Sequence, residues 1–144
     1  MEHPFNPEQE AETFLERAIF RLDESIMHEA QIIRTTYSDL PADYNAILST
    51  RPFPQELARN LLTNIDQAME RLERIDLHLS HMRTVDTLLN GWALNIFDYN
   101  PASDPESIYS RALKMVSPNL EKKRAELGEV RGNLALRIAI EDKS

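Results

Sequence analysis

Residues 58–96 read ARNLLTNIDQAMERLERIDLHLSHMRTVDTLLNGWALNI, and the spacing of their apolar positions decides the fold. Ala58, Leu61, Ile65, Ala68, Leu72, Ile75, Leu79, Met82, Asp86, Leu89, Ala93 and Ile96 alternate three and four apart without a slip. Eleven of these twelve are apolar, where a composition of 42% hydrophobic residues would supply about five. An unbroken 3.5-residue repeat is the seam of a helix lying against a partner helix in a left-handed coil. The pattern predicts a helix over 54–97, with Asn90-Gly91 as its one weak point. At 1.5 Å per residue such a helix is roughly 60 Å long, more than the usual width of a domain this size.

Asp86 is the sole polar member of the stripe. Polar residues at seam positions set register at a cost in stability. Asp86→Leu is therefore expected to raise the melting temperature and loosen assembly. Leu57, Leu62 and Met69 widen the apolar face near its start, as Val85, Trp92 and Phe97 do near its end. Arg71, Asp76, His78 and Arg83 flank the middle instead. A wide face needs two or more covering helices, and a charge-edged seam needs one.

Toward the N-terminus, Asn6-Pro7-Glu8-Gln9 is a helix start with Asn as N-cap and Pro at the first helical position. Leu15, Ile19, Leu22, Ile26, Ala30, Ile33 and Tyr37 then form one stripe, predicting a helix over 7–36. Residues 37–53 read as a connection, with room for a short helix over 42–48. Toward the C-terminus, Asn100-Pro101 to Pro105 is a break. Ser103 and Glu106 form a capping box that predicts a helix over 104–116. Ser117-Pro118 then predicts an interruption, because the residue before proline disfavours the helical region. A last helix is expected over 118–141, with Leu120, Leu127, Leu134 and Ile138 on one side. Beside them run Ala125, Gly128, Gly132, Ala135 and Ala139. A helical glycine costs about 1 kcal/mol relative to alanine. Gly128 and Gly132 are thus expected to mark close packing against another backbone. The fold expected is an all-α, antiparallel bundle of three to four main helices in a single domain, 1–144, around one long coiled-coil-like helix.

Composition narrows the function classes. A chain of 144 residues can bury a core without staples, and with no cysteine it has no disulfide, thiolate metal site or cysteine nucleophile. The formal charge is −8, from 24 acidic and 16 basic residues, which argues against direct nucleic-acid binding. No apolar run reaches bilayer length, so no membrane association is expected. The opening Met1-Glu2-His3-Pro4-Phe5 lacks the basic and apolar regions of a secretory signal, so an intracellular location, cytoplasmic or nuclear, is expected.

Motifs with chemistry are sparse. His28 follows Glu24 by one turn, and His78 and His81 lie near Glu73 and Asp76. The Glu-x-x-His pattern of a carboxylate-bridged metal bundle is absent, so these histidines read as solvated polar faces. No metal, cofactor or catalytic residue is expected. Arg21 to His28 and Arg74 to His81 share a spacing that loosely resembles the Arg–His signature of HEPN-type ribonucleases, although Leu22 and Ile75 stand where a polar residue usually follows the Arg. That resemblance implies a small helical nuclease or toxin-system component, with Arg and His acting on a scissile phosphate. Glu56-Leu57-Ala58-Arg59-Asn60, then Ile65-Asp66, resembles helical chromatin-reader subunits of the inhibitor-of-growth family, without their zinc finger.

Trp92, Phe97, Tyr99 and Tyr109 gather aromatic surface near one helix end. They read as a plug of the bundle or as an interaction surface. The function expected is a non-catalytic assembly or adaptor subunit that binds another helical protein or its own copy. Its expected interface is Leu61, Ile65, Leu72, Ile75, Leu79, Met82, Asp86, Leu89, Trp92, Phe97 and Tyr99.

Overall fold

A computed structural model of the chain describes residues 7–93 and 99–143, apart from the side chains of Glu8 and of residues 91–93. The expected Asn6 cap, Ile96, Phe97 and the side chain of Trp92 lie outside the described residues. The order is α1 (Pro7–Thr36), α2 (Leu40–Ser49), α3 (Gln55–Ala93), a 3-10 turn (Pro101–Ser103) and α4 (Ile108–Asp142). The described residues contain no strand, and the protein is an all-α helical bundle.

Each long helix turns its apolar stripe inward. On α1, Ile19, Ile26 and Ile33 are buried while Phe14, Phe20 and Met27 stay exposed. On α3, every stripe position from Ala58 to Asp86 is buried, and Leu89 is half-buried. α3 runs through Asn90-Gly91 to Ala93 without stopping. Asn90 is tied by its side chain to Asp86 one turn back, so the weak point carries its own brace.

The chain divides into two compact units, and all three long helices contribute to both. One gathers the chain up to Met27 with Ile75–Val116. Ile19, Ile26, Ile75, Leu79, Met82 and Ala112 form its core. The other gathers His28–Arg74 with Ser117–Ser144. Its core holds Ile33, Tyr37, Leu61, Ile65, Leu72, Leu127 and Leu134, with Leu40 and Ile47 supplied by α2. In this second unit α1 and α3 run antiparallel, since Arg71 meets Glu29 and Gln67 meets Tyr37. α3 and α4 do the same through Arg59–Asp142 and Asp66–Arg131. Phe53 lies under the Arg137 guanidinium at 5.7 Å, and Gln55 Nε2 donates to the Ile138 carbonyl at 3.3 Å.

Two expectations about the C-terminal third are corrected. No break occurs at Ser117-Pro118, and α4 is one helix with Pro118 inside it. The proline removes the donor for the Lys114 carbonyl, but Ala112, Leu120 and Leu127 are buried on both sides of it, and that burial outweighs the local bias. The helix also starts later than Ser103. Asp104 Oδ1 accepts from Glu106 N in a local turn, and the N-cap is Ser107, whose Oγ accepts from Ser110 N at 3.0 Å.

Candidate functional site

Six apolar residues expected at a partner interface are interior. Leu61, Ile65, Leu72, Ile75, Leu79 and Met82 are each at most 4% exposed in the single chain, so their side chains are not surface. The geometric reason for expecting a second chain, a stripe longer than its own cover, is weakened because the stripe from Ala58 to Asp86 is already buried within the single chain.

Asp86 is also fully buried, and its partners correct the idea of a register-setting charge. Its Oδ2 accepts from the backbone N–H of Tyr109 at 3.0 Å, and its Oδ1 accepts from Asn90 Nδ2. Tyr109 is the second residue of α4, so a side chain from α3 satisfies one of the donors that every helix start leaves open. Around it lies a polar corner. Tyr99 donates its hydroxyl to Asp104 Oδ2 at 2.8 Å, and Ser107 donates to the Pro101 carbonyl at 2.7 Å. Burial, then the hydrogen bond to Asp104, then the nearby Asp86 and Asp104 charges push the Tyr99 phenol up to about 12. Tyr99 and Tyr109 therefore seal the start of α4 rather than offering a free aromatic surface.

A second polar site belongs to the other unit. Glu29, nearly buried, receives Arg71 at 2.9 Å and lies 3.8 Å from Arg74. The hydrogen bond that Arg71 donates to Glu29, and a further one with Tyr37, hold the Arg71 guanidinium above its ordinary value. Glu29 stands three after Ile26 and four before Ile33, at the stripe spacing of α1, but the apolar Ala30 beside it reads as the stripe member. The signal was on α3, where Arg71 borders an apolar seam and needs a counter-charge.

Of the two Arg–His pairs, Arg74 is engaged by Glu29. Arg21 and His28 are exposed, and Arg21 shares a surface groove with His81 of α3. His78 is half-buried, and its Nδ1 has no hydrogen-bond partner. Among the described residues no group of three or more His, Asp or Glu is placed to hold a metal ion.

The glycines lie where the sequence did not put them. Gly128 and Gly132 are exposed, and an added Cβ at either meets nothing within 4 Å, so no backbone of the described residues packs there. With Ala125, Leu136 and Ala139 they form a smooth outward strip of α4, on which Leu136 is 62% exposed.

No family model matches the chain. No curated protein and no solved structure matches it either. No helix of the described residues is long and apolar enough to cross a membrane.

Proposed function

We propose that this protein is a non-catalytic assembly subunit that pairs with its own copy through the outer strip of α4. The observation that carries the reading is the order of residues on that strip. Glu121, Ala125, Gly128, Gly132, Leu136, Ala139 and Lys143 are all exposed, spaced four, three and four on either side of Gly132. At 3.6 residues per turn they fall on one face.

Spacing of this kind suits an antiparallel pair with a two-fold axis at Gly132. Each residue then faces the one equally far on the other side. Leu136 lies over the partner copy's glycine at position 128, alanine faces alanine, and Glu121 meets the opposite end's lysine. A two-fold contact uses the same patch twice and must be self-complementary in this way. Size and charge are both matched. Two helical glycines with nothing packed on them otherwise cost about 1 kcal/mol each without return.

Because the natural chain has no cysteine, a single Gly132→Cys substitution tests the axis directly. Under mild oxidation this variant is expected to form a covalent dimer, since two thiols at a two-fold axis meet. Ser38→Cys, exposed and off the strip, is the control and is expected to stay monomeric. Equal cross-linking of the two variants would overturn the proposal.

A further inference from the structure

In the unit that contains Met27, α1 and α3 border an open groove of about 400 Å³. Phe14, Arg17, Arg21 and Ser25 of α1 line it, with His81 of α3. Arg17 and Arg21 are one turn apart, so both guanidinium groups ride the same edge of the helix.

Their surroundings differ from those of the arginines that hold the fold. Arg59, Arg71, Arg74, Arg131 and Arg137 each meet a carboxylate. Arg17 and Arg21 have no such partner among the described residues. Three and four residues from Arg17 stand Thr13, Phe14, Phe20 and Arg21; from His81, they are Leu77, His78, Thr84 and Val85. Glu24, three beyond Arg21, is the one carboxylate at that distance from any of the three. The groove lining thus holds two arginines and a histidine and no carboxylate, although Glu16, Asp23 and Glu24 stand elsewhere on the same stretch of α1, and like charges one turn apart repel. Arg34, Arg51, Arg83 and Arg111 likewise meet no carboxylate among the described residues, and what marks Arg17 and Arg21 is that both line one groove with His81.

We infer that this groove binds a phosphate monoester bearing an aromatic group. Two guanidinium forks and the His81 and Ser25 side chains supply more donors than the two oxygens of a carboxylate can use, whereas phosphate offers three. Phe14 is 71% exposed on the same wall and gives an aromatic ring a face to stack on. The site is separate from the α4 strip and does not depend on dimerisation.

Isothermal titration of the purified full chain at low salt tests this with phenyl phosphate, inorganic phosphate, benzoate and phenol. Phenyl phosphate is expected to bind at least about tenfold more tightly than inorganic phosphate or benzoate, and phenol to give no saturable heat. The Arg17→Gln/Arg21→Gln variant is expected to lose at least about tenfold in affinity. Phe14→Ala should reduce phenyl phosphate to the level of inorganic phosphate, and Arg111→Gln, outside the groove lining, should change nothing. All four positions are exposed, and far-UV circular dichroism checks that each variant folds. Absence of saturable phenyl phosphate binding, or binding that the double variant keeps in full, would overturn the inference. Benzoate binding as tightly as phenyl phosphate would overturn the phosphate assignment.

Discussion

The Asp86 carboxylate on α3 accepts the backbone N–H of Tyr109 at 3.0 Å, so one helix caps the start of another. The sequence presents the same residue as a charge that an apolar substitute would improve. The structure reverses that prediction. Asp86→Leu leaves a buried backbone donor and the Asn90 amide without an acceptor, at a cost of about 2–4 kcal/mol. Asp86→Asn keeps an acceptor oxygen and is expected to lose about half as much. Urea unfolding of the three proteins measures this, and a leucine variant as stable as the natural chain would contradict it.

Tyr99 predicts how stability responds to alkali. A phenol with its folded pKa raised from 10.0 to about 12 favours the folded chain while it is protonated. That contribution is fully present below pH 10 and is lost as pH rises through about 12. Tyr99→Phe is expected to flatten the fall in melting temperature across this window. Parallel curves for the two proteins would contradict the assignment.

Core and surface substitutions separate the residues that hold the fold from those that do not. Leu72→Asp or Leu79→Asp places an unpaired charge where the side chain is at most 4% exposed. The cost is about 3–5 kcal/mol, so the monomer itself is expected to unfold, not merely its assembly. Replacing the exposed His28 and His81 by Ala together should shift stability by under about 0.5 kcal/mol and leave the chain's mass in solution unchanged. Circular dichroism and light scattering read both outcomes.

Periodicity reported which faces are buried, because a 3.6-residue stripe is the direct trace of burial on a helix. Ile19, Ile26 and Ile33 on α1 and the α3 stripe to Met82 are interior for that reason. The same pattern is silent on what covers a face, and a stripe covered by α1 and α4 therefore reads like one awaiting a second chain. Asp86 could not be understood locally, since its partner is a backbone N–H 23 residues away and carries no side-chain signature. The Arg17, Arg21 and His81 groove was hidden for a similar reason. Its members come from two helices, and the legible spacing paired Arg21 with His28 and His81 with Arg74, each within its own helix.

Pro118 shows the competition between local bias and burial. It is exposed inside α4, and an interior proline costs about 3 kcal/mol relative to alanine. Pro118→Ala restores the donor to the Lys114 carbonyl and gives up some stiffness of the unfolded chain. A net gain of about 1–3 kcal/mol is expected in urea unfolding. A loss of stability would mean that the proline is matched to its site.

The most direct test of the proposed assembly is solution mass by light scattering at tens of micromolar, where a dimer of about 8 kcal/mol is populated. The natural chain is expected at twice its 16.6 kDa, and Gly132→Glu at 16.6 kDa with unchanged helicity, because two carboxylates would meet on the axis. A natural chain at 16.6 kDa, or a Gly132→Glu variant that stays dimeric, would contradict the account.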